Sequence, residues 1–526
     1  MYLTEHARTL ANSTVDEPIL GREADMERNA AGGFVFRTTD ATVLDRFLIL
    51  GTEGGTYYVT EQKLTREAAS TVVKMLTASE ASARNVVDRA VEISQAGRAP
   101  KNDAALFVLA LASSVGHADA RSYALKQLPK VARTATHLFQ FIEMVQAFRG
   151  WGRSLKRAVA DWYLSQTTEK VAYQAIKYRN RAGWSHRDVL RKAHPKTTDV
   201  DRAELFDWIC RGTLGDNVPT AVLQFDALQQ ATSAEQAAEM LSSFGLPREA
   251  VPTQFLNDRA VWQALLTNMP ITALVRNLNK MTMVGLFDNK VNVDYVVSRL
   301  IDPEQLKRGR VHPFAMLVAW KTYASGQGHR GSNTWTPHAK IVQALAHGFE
   351  MAFDFLPTTD ERVFIGIDVS GSMGWSFLNG NSPVNCREAS AAMLMVHMRQ
   401  CSQVKVGAFT NHLLMLQVDN DIKLDSMIDK ISRLPFGGTN VGSVIEHAIN
   451  NNLQVDKFVI YTDNETWQGS HVTTLLAKYR KQSGINAKLI VVAMETSNHS
   501  VADPNDPLQL DIVGFDTATP QVLAEF

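Results

Sequence analysis

The chain has 526 residues, too many for one hydrophobic core and enough for roughly three to four domain equivalents. Its 45% hydrophobic and 21% charged content is ordinary for a soluble globular protein, and its formal net charge of zero excludes a global field that would draw nucleic acid or membrane. The zero conceals an asymmetry, because residues 361–526 carry −5 and residues 1–360 therefore carry +5.

Residues 1–20 are polar and poorly patterned, and we expect them to form an arm. The opening MYLTEHARTLANSTVDE has no apolar core of a secretory signal, and no apolar run approaches the ~18 residues that a membrane span needs. Cys210, Cys386 and Cys401 are odd in number and widely spaced, with no CxxC pair. That argues for a reducing compartment and against a disulfide framework or zinc site, so the expected location is cytoplasmic.

From about Leu44 to Phe355 the apolar periodicity is helical, with predicted helices over 68–81, 104–115, 131–148, 151–163, 171–178 and 339–353. Many short helices in series suggest stacked pairs of the solenoid kind, although no clean repeat is visible. The stretch Gly51-Thr52-Glu53-Gly54-Gly55-Thr56-Tyr57-Tyr58 reads as a loop. Gly326-Gln327-Gly328-His329-Arg330-Gly331 matches GxGxxG but follows a helical run, so it fails the strand-first test for a dinucleotide site. No GxxxxGK[ST] is present, which disfavours a nucleoside triphosphatase.

Within residues 121–200 lie 16 Lys and Arg against 5 Asp and Glu, the largest local imbalance found. From Lys170 onward come Lys177, Arg179, Arg181, His186, Arg187, Arg191, Lys192 and His194, with Tyr178 and Trp184 interleaved. Cations for phosphates and aromatics for stacking are what RNA recognition needs. A basic stretch is more often a solvated helix face, but here few acids balance it, so RNA contact is the favoured reading. Arg133, Lys156, Arg157 and Arg276 are candidates for the same surface. His186, with an ordinary pKa of about 6.5, is a candidate phosphate donor that would make binding sensitive to pH.

After Pro357 short apolar runs alternate with helical ones: 363–369, a helix over 386–401, then 404–409 and 413–418. A helix after Gly438-Thr439-Asn440, the run 457–461, a helix over 470–481 and the run 488–494 follow. This β, α, β, α order implies a mostly parallel, doubly wound sheet over residues 359–526, joined near 356–360 to a helical module over 21–358. The strand 363–369 ends in Asp368-Val369-Ser370-Gly371-Ser372, hard oxygen donors at the edge where such sheets bind ligands. Thr439 opens a helix, and Asp463 follows a neighbouring strand. DxSxS with a later Thr and a later Asp resembles the metal-ion-dependent adhesion site of the von Willebrand A fold. Mg²⁺ suits it, since that ion keeps several waters and takes few carboxylates. Turn chemistry alone would explain Ser370 and Ser372 but not Thr439 and Asp463. Neither serine sits in GxSxG, and two carboxylates with serines make a poor two-metal nuclease site, so binding rather than catalysis is expected.

Several segments then look familiar together. FLILGTEGGTYY (47–58), RTATHLF (133–139), KYRNRAGWSH (177–186), NLNKMT (277–282), His312-Pro313-Phe314, the 326–331 loop with Trp335 and Pro337, and DVSGS resemble the Ro autoantigen family, in order. The short, unextended form is similar to bacterial members. The resemblance implies a monomeric ring of HEAT-like helical repeats, the TROVE module, closed by the von Willebrand A domain. It implies an RNA-binding, non-enzymatic protein of a small ribonucleoprotein, with Y RNA on the outer basic surface at Lys177, Arg181 and His186. Misfolded noncoding RNAs would insert a single-stranded 3′ end into the ring's hole, and an exoribonuclease, polynucleotide phosphorylase, would associate through Y RNA. The implied metal ligands are Asp368, Ser370, Ser372, Thr439 and Asp463. The alternative is a von Willebrand A adhesion or scaffold protein with no RNA role.

Overall fold

A computed structural model describes residues 14–51, 61–328, 332–351, 359–377, 383–419 and 422–514, with 516, 519, 522, 523 and 526. The 52–58 part of the glycine- and tyrosine-rich loop, His329, Arg330 and Gly331, and most of the 356–360 junction lie outside the described residues.

From Asp40–Leu50 to Ala339–Met351 the chain is almost wholly helical, and successive helices pack on one another. Their starts are written in side chains. Thr39, Ser79, Thr134, Thr167, Ser185, Asp199 and Ser233 each accept a backbone N–H in the first turn, satisfying a donor that the helix leaves open. One such cap corrects the expected helix over 131–148. Val131 ends Ala118–Val131, and Thr134 starts Ala135–Arg149 by accepting from His137 N at 3.4 Å. The series also returns on itself. His312 Nε2, at the start of Pro313–Ala324, lies 3.0 Å from the carbonyl oxygen of Arg98, just past Glu80–Ala96.

The second domain is a six-stranded sheet. Its members are β5 (Thr359–Asp368), β6 (Cys401–Phe409), β7 (Leu413–Leu416), β8 (Lys457–Thr462), β9 (Lys488–Ala493) and β11 (Gln509–Val513), in the order β11-β9-β8-β5-β6-β7. All pairs are parallel except β6 with β7. The chain leaves β5 toward one edge and later builds outward from β8 toward the other, so β5 and β8 flank the topological switch point. Gly366 is needed in β5 because a Cβ there would stand 2.6 Å from Val444 Cγ2 on the covering helix.

Residues 14–37 differ from the expected arm and start of the helical module. β1 (Met26–Arg28) and β2 (Phe34–Arg37) pair with each other and then with β10 (His499–Ser500) of the second domain. Arg22 makes two hydrogen bonds to Asp503, at 2.6 and 2.7 Å. Asn29 Nδ2 donates to the carbonyls of Asn464 and Thr466 at 3.1 and 2.7 Å, clamping the loop that follows Asp463. Among the described residues no helix is long and apolar enough to cross a membrane, and all three cysteines are free thiols.

Candidate functional site

The five predicted metal-type residues converge at the switch point. Asp368 ends β5, Ser370 and Ser372 open the five-residue helix Gly371–Trp375, Thr439 lies on the facing loop, and Asp463 follows β8. Each is at least 98% buried. Ser370 N donates to Asp368 Oδ1 at 2.9 Å, the Ser370 and Ser372 hydroxyls stand 3.1 Å apart, and Thr462 Oγ1 donates to Asp368 Oδ2 at 2.8 Å. Glu465 N donates to Asp463 Oδ1 at 2.9 Å, while Asp463 Oδ2 is buried without a hydrogen-bond partner. Burial pushes the Asp368 carboxyl up to about 6, against hydrogen bonds from Ser370 and Thr462 that pull it down. Burial, and then the Asp368 charge, raise Asp463 well above the usual carboxylate range. Two ionisable oxygen donors that repel each other, one with an orphaned oxygen, fit a small hard cation. Among the described residues no three His, Cys, Asp or Glu side chains gather to hold a metal. The fit therefore rests on two carboxylates and three hydroxyls.

The basic segment folds into a projecting hairpin. β3 (Asn180–Arg181) pairs with β4 (Trp184–Ser185) across Ala182 and Gly183, whose φ of 49° and 73° make a two-residue turn. Lys170, Arg179, Arg181 and Arg187 are exposed, as are Lys156 and Arg157. Among the described residues no ion pair engages Lys170, Arg179, Arg181 or Arg187. Lys177 is half-buried, its Nζ 5.4 and 5.6 Å from the ring centroids of Tyr173 and Tyr178. Trp184 is no base platform: it is buried, packs on Trp151 and donates to Glu143 at 2.8 Å.

His186 does not reach the surface and so cannot donate to a phosphate there. It is 3% exposed, lies among Phe139 and Tyr163, and shares a 2.8 Å hydrogen bond with Tyr163 Oη. Burial lowers its pKa to about 4, so it is neutral at physiological pH. Its pH effect falls on stability instead. Because the folded value lies below the ordinary 6.5, stability is present above 6.5 and is lost as pH falls toward 4, by up to roughly 3 kcal/mol. Urea unfolding between those pH values should show a shallower loss in His186→Phe than in the native chain; an equal loss would refute the burial argument.

Arg133 and Arg276 also leave the outer surface. Both line an open cavity of about 800 Å³ between early and late helices, together with Lys101 and Arg310, and among the described residues that line it only Asp103 is acidic. Arg133 donates to Ser94 Oγ at 2.7 Å, and burial followed by the Arg310 charge lowers its pKa. His137 lines the same space with its buried Nδ1 unpaired, and burial lowers it to about 4. Tyr178 belongs to this lining too, so the cavity adjoins the Lys177 segment.

With this geometry in place, comparison with known proteins is decisive. A TROVE domain model matches residues 27–241 and 240–322, and a Ro60 vWA domain model matches 362–526. The chain belongs to the Ro60 family. It is 36% identical to RNA-binding protein RO60 of Caenorhabditis elegans, over 96% of this chain and 90% of that one. It is 38% identical to RNA-binding protein RO60 of Deinococcus radiodurans, over 95% and 94% respectively. The crystal structure of the D. radiodurans Ro (RSR) protein superposes with a TM-score of 0.72 at 37% identity, covering 92% of this chain and 99% of that one.

Segments that carry the family resemblance meet at this cavity. Thr136 and His137 of RTATHLF, Asn279 of NLNKMT, and His312 and Phe314 all line it. Lys101 and Arg310 were missed. Arg310 belongs to the run Lys307-Arg308-Gly309-Arg310 and Lys101 follows Arg98 by three residues, but nothing local in the sequence says that they face Arg133.

Proposed function

We propose that this chain is an RNA-binding, non-enzymatic protein of a small cytoplasmic ribonucleoprotein, acting as a monomeric ring. The observation that carries the reading is the pairing of an unpaired outer basic face with an adjoining basic cavity. Lys170, Lys177, Arg179, Arg181 and Arg187 would take the phosphates of a structured Y RNA, giving shape-driven and salt-dependent affinity. Arg133, Arg276, Arg310 and Lys101 would take an unpaired 3′ tail of a misfolded noncoding RNA. An unpaired tail would suit this cavity better than a duplex end, because its bases and phosphates are free to meet the aromatic and cationic lining. The names of the relatives support RNA as the ligand class. A Y RNA held outside leaves room for an exoribonuclease such as polynucleotide phosphorylase to associate through it.

Asp368, Ser370, Ser372, Thr439 and Asp463 would hold Mg²⁺, which when bound offers a coordination position to an acidic group of a partner. The chain's own part is to bury and orient the five oxygens.

The test uses two variants and two RNAs. Lys177→Ala with Arg181→Ala should weaken a structured Y RNA and lower the slope of log affinity against log salt by about 1 per lost phosphate contact. It should leave a hairpin with a free 3′ tail less affected. Arg276→Glu with Arg310→Glu should do the reverse. Unchanged slopes in both variants would remove the assignment.

A further inference from the structure

The loop that follows Asp463 is held from two sides, and one of them belongs to the distant segment 14–37. On its inner side Thr466 Oγ1 donates to the Thr439 carbonyl at 3.1 Å, and the Trp467 and Gln468 amides donate to the same oxygen at 3.3 Å. These bonds tie the loop of Asp463 to the loop of Thr439. On its outer side stands the turn 29–33, between β1 and β2. Asn29 is 6% exposed, and both polar atoms of its side chain are engaged. Its Oδ1 accepts from Gly33 N at 2.9 Å, which fixes the turn, while its Nδ2 donates to the carbonyls of Asn464 and Thr466. Ala31 N donates to Glu465 Oε2 at 2.8 Å, so residues 464, 465 and 466 all bond to this one turn. Gly33 comes so close that a Cβ there would stand 2.1 Å from Thr466 O, an approach that only glycine allows.

The loop needs that support. Asn464 has a φ of 66°, in the left-handed region that is unfavourable for a residue with a side chain. Asn464 and Thr466 are buried, so their carbonyls must find donors within the fold. Glu465 N orients Asp463 by donating to Oδ1 at 2.9 Å, so a shift of the backbone at 464–466 carries the carboxylate with it. The turn is itself anchored away from the site, by the pairing of β2 with β10 and by Arg22 on Asp503. Cation affinity depends on the groups that hold the ligands as well as on the ligands themselves. We propose that Asn29 is a positioning residue for the cation site: through the backbone of residues 464 and 466 it sets the Asp463 and Thr439 loops so that their oxygens converge. The proposal rests on the metal-site reading above. It makes a site in the α/β domain depend on the segment that runs directly into the first helix, Asp40–Leu50.

Electron paramagnetic resonance of Mn²⁺ with the full-length chain tests this, together with hydrogen exchange of the 463–470 amides in EDTA. Asn29→Ala should bind Mn²⁺ at least about tenfold more weakly than the native chain and should speed exchange of those amides. Gly33→Ala, which pushes on Thr466 without removing a donor, should weaken Mn²⁺ in the same direction. Tyr479→Phe is the control for stability. It removes the hydroxyl that Leu453 and Val455 share, before the opposite end of β8 from Asp463, and should keep native Mn²⁺ affinity. Native Mn²⁺ affinity in Asn29→Ala overturns the proposal. So does an equal loss in Tyr479→Phe, which would make the effect one of stability alone. Failure of the native chain to bind Mn²⁺ refutes the metal reading itself. Unchanged exchange of the 463–470 amides in Asn29→Ala refutes the support by the turn, whether or not the metal binds.

Discussion

Replacing Arg46 by Met is expected to cost about 3–5 kcal/mol, the range for breaking a buried ion pair from one side. Arg46 is wholly buried on the first helix, Asp40–Leu50, yet its partners all lie in the other domain. Nη2 donates to both carboxylate oxygens of Asp511 on β11, at 2.8 and 2.6 Å. Nη1 donates to the carbonyl and hydroxyl of Ser497 and to the carbonyl of His499, at 2.7 to 2.8 Å. Methionine fills much of the volume but removes five donated hydrogen bonds, leaving the His499 carbonyl only the 3.3 Å bond from Ser497 Oγ, which is where the cost arises. A second latch, Arg98 to Asp516 at 2.5 Å, stands close by, and Lys321 pairs with Glu388 on the far side. These contacts tie the two ends of the helical series to the α/β domain. Urea unfolding should show the loss, and Arg46→Met with Asp511→Leu should recover part of it, because no charge is then left unpaired. A loss below about 1 kcal/mol would mean that water already satisfies this junction.

Arg46 also marks where the sequence stops being informative. Its neighbours Val43, Leu44, Phe47 and Leu48 announce an amphipathic helix. Nothing local tells that a cation among them is buried against residues more than 450 positions away. The α/β domain was legible because its information is local. Short β-rich runs ending in Asp368 or Asp463 name both strand and site, and the alternation with helices names the topology. The basic stretch around Arg181 was legible for the same reason, whereas the hairpin that presents it and the pairing of residues 14–37 with β10 were not. His186 shows the converse error. Its neighbours in KYRNRAGWSH are exposed cations, but it opens a helix whose inner face carries Val189 and Leu190, and burial rather than charge governs it. The cavity lay beyond any local reading, because RTATHLF, NLNKMT and His312 are distant in sequence and meet only when the helices return on themselves.

The proposed metal site should show itself as an inverted pH dependence of stability. Without a divalent ion, Asp368 has a folded pKa of about 6 against an ordinary 3.8, and Asp463 moves the same way. A carboxyl whose folded value is raised contributes stability that is fully present below pH 3.8 and is lost as pH climbs through about 6. At neutral pH without a metal the pair is therefore a net cost to the fold, shared between the two carboxyls. In EDTA, Asp463→Asn removes the like charge beside it and should raise stability at neutral pH by about 1–3 kcal/mol relative to the native chain. With saturating Mg²⁺ the order should reverse, since the cation stabilises only the chain that keeps both carboxylates, by about 4.1 kcal/mol at a thousandfold excess over Kd. The crossing of the two chains, measured by urea unfolding with and without Mg²⁺, separates a built cation site from a pair of merely buried acids. If Asp463→Asn is the less stable chain in EDTA, the carboxylates are satisfied by the fold itself, and the site has no need of a metal.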